Sequence, residues 1–129
     1  MTLRQFALFS TGLILPMLYQ RLKFALNRSL FNRTRLRDKS GLKIHHGHWG
    51  LLLAMISTWM FVFGLRDYVS IGFAGFGWGL MLDEIIPMLK MPSPDRDLEL
   101  DVYRKTKNAT IILISVVAIL SLIIFLMLR

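Results

Sequence analysis

Long apolar runs separated by short polar or basic segments set the pattern of this sequence. The run 108–128 contains no charged residue, and the runs 45–65 and 68–89 are nearly as apolar. A helix needs about 20 mostly apolar residues to cross roughly 30 Å of hydrocarbon. We therefore expect three membrane-spanning helices in an all-α transmembrane bundle, because runs of this length favour helices over strands.

The N-terminal segment 1–20 is apolar but short, and it contains Pro16. It fits a fourth, tilted span, a re-entrant segment or a surface anchor. The next segment, 21–44, is a basic linker with leucines at helical spacing near its start. That start fits either an amphipathic helix in the headgroup layer or a polar continuation of the first span.

Charge predicts how this bundle sits in the membrane. The chain has 16 Lys and Arg against 8 Asp and Glu, a net charge of +8, and the linkers 21–44 and 90–107 are basic. Because basic loops stay in the cytoplasm, both linkers should be cytoplasmic and the turn at 66–67 should lie outside. The basic residues flank apolar runs, which predicts anionic lipid headgroups rather than nucleic acid as their partner. We expect a multi-pass protein of the cell membrane.

Composition narrows the class of protein further. The 129 residues fit a single domain, and 54% of them are apolar, more than a soluble domain of this size can bury. The chain has no cysteine, which excludes disulfides and thiolate-ligated metal centres.

The residues that could form a functional site lie at the start of the run 45–65 and near the end of the run 68–89. All three histidines, His45, His46 and His48, fall within four positions, and Asp83 and Glu84 interrupt the run 68–89. Charged groups inside a hydrophobic segment are costly and face the bundle interior, pair or serve a function. On a helix His45 and His48 share a face, whereas His46 points about 100° away.

Counting residues predicts that these two groups meet. If the chain turns at 66–67, His48 precedes the turn by 18 residues and Glu84 follows it by 17. At a rise of about 1.5 Å per residue the two reach the same depth near the cytoplasmic face. We therefore expect a composite site built from imidazoles and carboxylates.

Imidazole and carboxylate groups together suit a divalent metal, and zinc, iron and manganese are the candidates. In this hypothesis His45, His48 and Asp83 hold the metal, with His46 as a further ligand. Glu84 would then act as the catalytic general base on metal-bound water. Asp101 and Tyr103 would lie on the same side and either contribute to the site or belong to a plain loop.

Two other interpretations of the polar groups stay open. Histidines at a membrane boundary often serve as amphipathic anchors, and the acids could pair with Lys43, Lys90 or the basic linker to hold the hairpin shut. Proton handling by the same groups is the third interpretation.

The run 68–89 also carries closely spaced glycines. Gly75 and Gly79 form a Gly-x-x-x-Gly step, and Gly72 precedes them by one turn. Such small residues let another helix approach closely. With Gly47 and Gly50 on the opposite run, they predict tight helix packing beside the polar groups.

Three short motifs carry a resemblance to a known group of proteins. They are His45-His46-x-x-x-Gly50, Gly77-x-Gly79-Leu80-x-Leu82-Asp83-Glu84 and Asp101-Val102-Tyr103. Together they resemble uncharacterised small prokaryotic integral membrane proteins. Members often have a further histidine two positions before the pair, where this chain has Lys43. The resemblance implies the same membrane fold and points to the same residues, without implying a reaction.

Three functions fit these patterns. The first is a membrane protein with a metal site at the cytoplasmic face, acting as a metal-dependent hydrolase on a lipid-borne substrate. The second is a non-enzymatic subunit or assembly factor that packs through its glycine-rich helix against a partner or a second copy. The third is a small metal-ion or proton transporter, which would need polar residues across the outer half of the bilayer.

Overall fold

The computed structural model describes residues 1–26, 46–90 and 96–127, and nearly all of those residues are helical. The helices are α1 (Leu3–Leu26), α2 (His46–Val62), α3 (Tyr68–Leu89) and α4 (Arg96–Met127). No strand occurs in these ranges, which confirms the all-α prediction.

Two of the helices within the described ranges are long and apolar enough to cross a membrane, Tyr68–Leu89 and Arg104–Met127. The sequence predicted three such spans and a fourth at the N-terminus. The run 45–65 gives only the 17-residue α2, which is shorter than the roughly 20 residues of a full span. Helix α1 is 24 residues long but includes the charged residues Arg4 and Arg21.

The predicted linkers are partly helical, which corrects two boundaries. Helix α1 continues past residue 20 to Leu26, as expected if the polar segment extends the first helix. Helix α4 begins at Arg96 rather than at Asn108, so most of the predicted loop 90–107 is helix. The charged stretch after Pro94 contains no proline or glycine, and Lys, Arg, Glu and Leu are good helix formers in contact with water.

A short turn joins α2 to α3. Gly64 adopts a left-handed conformation with φ of 79°, and Leu65 N–H bonds the carbonyl of Met60 across the end of α2. Asp67 then begins α3, because its Oδ1 accepts a hydrogen bond from Ser70 N–H at 2.8 Å. This turn reverses the chain, so that α2 and α3 form an antiparallel hairpin.

Helix α3 is central and packs against each of the other three helices, and α1 also contacts α4. The side chain of Gln5 donates to the carbonyl of Arg66 at 3.2 Å, which places the start of α1 beside the α2–α3 turn. Arg21 lies against Asp83, near the end of α3. Helices α1 and α3 therefore run in one direction and α2 runs in the other.

The stacking of Phe6 on Phe125, with ring centroids 4.4 Å apart, brings the end of α4 to the start of α1. Helix α4 is therefore antiparallel to α1 and α3. The bundle has two ends, which we name by their residues. The turn end contains the connection 63–67, and the cluster end contains Arg21, His46, Asp83 and Glu84.

Glycines set the spacing between the helices. A Cβ on Gly79 would lie 2.5 Å from the carbonyl oxygen of Leu13, and one on Gly75 would overlap the carbonyl of Phe9. A Cβ on Gly50 would lie 2.7 Å from the carbonyl oxygen of Gly77. Helices α1 and α2 therefore approach two sides of α3 so closely that side chains at these positions are excluded.

The distribution of side chains is inverted relative to a water-soluble protein. Leu13, Leu82 and Ile114 form a small buried core. Most of the large apolar side chains in the described ranges are exposed, including Trp49, Trp59 and the Ile and Leu residues of α4. The buried polar and charged residues are Ser57, Ser70, Asp83, Glu84, Thr106 and Thr110.

Candidate functional site

The α2–α3 hairpin brings a histidine level with the two acids, as residue counting predicted. His46 is the first residue of α2, and Asp83 and Glu84 lie near the end of α3. The His46 ring lies between the two carboxylates. Its Nδ1 is 3.5 Å from Glu84 Oε1 and its Nε2 is 3.7 Å from Asp83 Oδ2.

The two acids and the histidine differ in solvent exposure. The side chains of Asp83 and Glu84 are 0% and 1% exposed, whereas His46 is 26% exposed. The carboxylates thus lie inside the bundle and the imidazole covers them at the cluster end. Charges held in this way must be compensated by partners, because burial removes their hydration.

Glu84 is held by the backbone of α2 as well as by His46. Gly47 N–H donates to Glu84 Oε2, and a Cβ on Gly47 would lie only 2.8 Å from that oxygen. The first N–H groups of a helix have no partner inside the helix and attract negative charge. Glu84 therefore caps α2 from the neighbouring helix, and the glycine allows the approach.

Asp83 pairs with Arg21, a residue that sequence analysis placed in the basic linker and did not assign to the site. Arg21 Nη2 donates to Asp83 Oδ1 at 3.4 Å, and the Arg21 side chain is 17% exposed. Because α1 continues to Leu26, Arg21 lies on a helix that packs against α3. The site therefore draws side chains from three helices, α1, α2 and α3.

We call Arg21, His46, Asp83 and Glu84 the charge cluster. Arg21 donates to Asp83, Gly47 N–H donates to Glu84, and the ring nitrogens of His46 face one oxygen of each acid. The cluster thus gives each buried acid a donor from the same chain.

The other residues predicted for the site are placed differently. His48 is exposed on α2, whereas His45, which shares a predicted helix face with it, lies outside the described residues. The same holds for Lys43, and the side chains of Asp101 and Tyr103 are also outside what the structure describes. The structure thus brings His46, rather than His48, against the two acids.

The geometry of the cluster bears on the predicted metal. In the part of the chain that is described, no group of three or more His, Asp or Glu side chains is arranged to hold a metal ion. The two nitrogens of His46 face different carboxylates, which is an arrangement for pairing rather than for three ligands around one ion. Asp83 Oδ2, however, is buried and accepts no hydrogen bond from any of the residues that the structure describes.

The glycines predicted to mediate helix packing lie against helices of the same chain. Gly75 and Gly79 face the backbone of α1, and Gly72 has Leu8 as its nearest neighbour at 3.8 Å. Gly50 and Gly77 face each other across the α2–α3 interface. These surfaces are therefore covered within the chain itself.

Comparison with known proteins gives no family or relative from which a function could be transferred. No protein-family model, no curated protein and no solved structure matches this chain. The resemblance to small prokaryotic membrane proteins stays a prediction from short motifs.

Proposed function

We propose that this chain is a multi-pass protein of the cell membrane and that all four helices cross the bilayer. The support is the inverted distribution of side chains: large apolar residues are exposed, while Asp83 and Glu84 are buried. In lipid this arrangement leaves apolar groups in contact with hydrocarbon and sequesters charge inside the bundle. Helix α1, at 24 residues, is about 36 Å long, enough to cross beside α3. Helix α2, at 17 residues, is at the lower limit of the roughly 17–25 residues of a spanning helix.

The basic residues support one orientation. The cluster end joins both basic linkers, 21–44 and 90–107, whereas the turn end has only Arg4, Arg66 and Asp67 as charged side chains among the described residues. By the positive-inside rule the cluster end faces the cytoplasm. The charge cluster then lies at the cytoplasmic boundary of the membrane, close to anionic headgroups.

We propose further that the charge cluster is a clasp that fastens α1 and α2 to α3, in a membrane protein with a non-enzymatic role. The observation that carries this proposal is that the protein itself supplies the partners of both acids. Asp83 is paired with Arg21, and Glu84 with His46 and Gly47 N–H. With Glu84 engaged by these two groups, its geometry favours positioning over general-base chemistry.

If the chain is a membrane subunit, its partner would bind surfaces other than the glycine-rich face of α3 that the sequence predicted. The glycine faces of α3 are covered by α1 and α2, so a partner or a second copy would pack on exposed apolar faces. All four helices carry large exposed apolar side chains, and those of α2 include Trp49 and Trp59.

The clasp is tested by a double-mutant cycle on its most direct ion pair. Removing one partner of a buried pair leaves an uncompensated charge and typically costs about 3–5 kcal/mol. We expect Arg21→Gln and Asp83→Asn each to lower the unfolding free energy in detergent. The double variant should be more stable than the sum of the two losses predicts, by about 1–3 kcal/mol.

The matched control uses an arginine of the same helix at the other end of the bundle. Arg4 is exposed, so Arg4→Gln combined with Asp83→Asn should be additive within about 0.5 kcal/mol. If the Arg21 cycle is as additive as the Arg4 cycle, the two residues do not stabilise the fold together and the clasp is wrong.

A divalent cation site is the second candidate, and the unbonded Asp83 Oδ2 favours it. This oxygen lies 3.7 Å from His46 Nε2, close to the roughly 3.4 Å expected for two ligands of one tetrahedral zinc ion. Glu84, 3.5 Å from the other ring nitrogen, would then orient the imidazole, a common arrangement behind metal-bound histidines. Only two ligands would come from described residues.

Elemental analysis of detergent-purified protein separates the two candidates. A metal site predicts stoichiometric zinc, iron or manganese in the wild type and in His48→Ala, and its loss in His46→Ala. The clasp predicts no stoichiometric metal in any of the three proteins and a larger loss of stability in His46→Ala than in His48→Ala. His48 is the appropriate control because it lies on the same helix and is exposed.

A further inference from the structure

An apolar cavity of about 320 Å³ lies at the turn end, opposite the charge cluster. All four helices line it, and its walls include the following side chains: Phe6, Phe9, Phe61, Ala74 and Phe125. Ser121 also lines the cavity, and its hydroxyl donates to the carbonyl of Val117 at 2.8 Å. The polar hydroxyl is thus satisfied within its own helix, and the lining offers little to hydrogen-bond water.

The size and lining of the cavity suit an alkyl chain. A cavity of about 150 Å³ lined by apolar side chains stays dry and accepts benzene. The cavity at the turn end has about twice that volume, which is enough for a segment of a fatty acyl chain. Aromatic and aliphatic walls favour such an occupant through close van der Waals packing, which replaces the hydrophobic effect inside a bilayer.

The charges around this cavity indicate which lipid would occupy it. Arg4 belongs to the same first turns of α1 as Phe6, and Gln5 between them bonds the backbone of Arg66. Arg4 and Arg66 are both exposed. The neighbouring acid Asp67 caps α3 through its carboxylate, which accepts from Ser70 N–H and keeps its negative charge. Arg4 and Arg66 outnumber this one described acid, so the turn end has a net positive charge beside the cavity.

We propose that the turn end binds one anionic phospholipid, with an acyl chain in the cavity and the phosphate between Arg4 and Arg66. Guanidinium groups bind phosphate strongly and can do so through two parallel hydrogen bonds. A zwitterionic lipid with the same chains would fill the cavity without an equal gain from the headgroup. The inference rests on the proposed membrane insertion but is independent of the clasp.

Native mass spectrometry tests the proposal. The full chain is released from nanodiscs that contain phosphatidylglycerol or phosphatidylcholine with identical acyl chains. We expect a one-lipid adduct that strongly favours phosphatidylglycerol. Arg4→Gln/Arg66→Gln should lower its retention about tenfold, as expected for the loss of two basic residues at a membrane surface. Arg104→Gln/Lys107→Gln, which removes two exposed bases from α4 near the cluster end, should leave retention unchanged.

Two substitutions test the cavity itself. Ala74→Leu and Ser121→Leu both add volume to its lining and should each reduce the adducts of both lipids. Two substitutions are used because Ala74 is buried and its replacement risks misfolding, whereas Ser121 is only partly buried. Unchanged retention in Ser121→Leu, or equal retention of the two lipids by the wild type, overturns the proposal.

Failure of membrane insertion has a different signature. Alkaline carbonate would then extract the wild-type chain from cell membranes, whatever lipid it retains. A chain that resists extraction but shows no headgroup preference contradicts only the lipid site.

Discussion

The charge cluster shows what each residue contributes to one buried site. Asp83 and Glu84 are almost inaccessible, so each needs a donor that the fold can place at the same depth. Arg21 donates to Asp83, and Gly47 N–H donates to Glu84. His46 touches both acids and links the two pairs into one cluster.

Residue counting explains both what was found and what was missed in the sequence. Counting from the turn at 66–67 placed the histidines level with the acids. The same counting also applies to α1, because Arg21 follows Gln5 by 16 residues and Asp83 follows Asp67 by 16. Arg21 was missed because nothing in the sequence shows that Gln5 lies beside the turn.

Depth does not determine the rotation of a helix about its axis. Counting could not distinguish His46 from its neighbours, which differ in depth by only about 1.5 Å per residue. The choice of His46 follows from the close approach of Gly47 and Gly50 to α3, which turns that side of α2 inward. His46 and Gly50 are four residues apart and lie on one side of the helix, so the glycine spacing favours His46 over its neighbours.

Asp67 should make the stability of the hairpin pH-dependent. The hydrogen bonds from Ser70, through its backbone N–H first and then its side chain, lower the pKa of Asp67 below its ordinary value of 3.8. The stabilisation is therefore present above pH 3.8 and is lost as the pH falls through the lower pKa of the folded state. We expect Asp67→Ala to lower the melting temperature more at pH 6 than in strong acid, where only the contribution of the neutral cap remains.

Asp67→Asn provides the control for this prediction. Asparagine can still cap α3 through its side-chain oxygen but has no charge to titrate. The melting temperature of this variant should exceed that of Asp67→Ala by a margin that does not change with pH. A constant difference between the wild type and Asp67→Ala across the acid range would show that the charge of Asp67 does not contribute.

At the scale of the helices, apolar periodicity predicted the existence of the elements better than their ends. The runs 45–65 and 68–89 correspond to α2 and α3, and the turn between them falls where the charges are. The apolar pattern does not reveal the start of α4 at Arg96, because the first residues of this helix are charged and charged stretches between apolar runs are typical of loops. A helix can extend beyond the membrane into water without a change in backbone, so apolar runs do not mark its end.

Glycine spacing predicts which substitutions the helix packing tolerates. Gly79→Ala would place a methyl group 2.5 Å from the backbone oxygen of Leu13, which cannot move without shifting α1. We expect it to lower the unfolding free energy in detergent by about 1–3 kcal/mol, as overpacking does.

Gly72→Ala is the matched control on the same helix. Its methyl group would lie 3.8 Å from Leu8, an ordinary van der Waals contact, and alanine favours a helix over glycine by up to about 1 kcal/mol. This variant should be neutral or slightly stabilised. Equal losses in Gly72→Ala and Gly79→Ala would mean that the close approach of α1 to α3 is incorrect.

At the scale of the whole molecule, the two ends of the bundle have different chemistry. The cluster end holds buried charges next to the basic linkers, and the turn end holds an apolar cavity next to two arginines. The composition predicted a helical membrane protein, and the structure agrees in being helical with an apolar exterior. The number of crossings depends on α1 and α2, whose length or charge makes them weaker candidates than α3 and α4.

The central claim is that the chain crosses the membrane four times, with the two ends of the bundle on opposite faces. The chain has no cysteine, so single cysteines can be introduced for labelling at Thr2, Leu22, Leu65 and Lys107, all of which are exposed. The measurement is labelling of intact cells by a membrane-impermeant maleimide.

We expect Thr2→Cys and Leu65→Cys to react in intact cells, and Leu22→Cys and Lys107→Cys to react only after permeabilisation. Reaction of Leu22→Cys in intact cells would contradict the account, because α1 and α2 would then not cross the membrane. Reaction of Leu65→Cys and Lys107→Cys from the same side would contradict it as well, because α3 alone separates those positions.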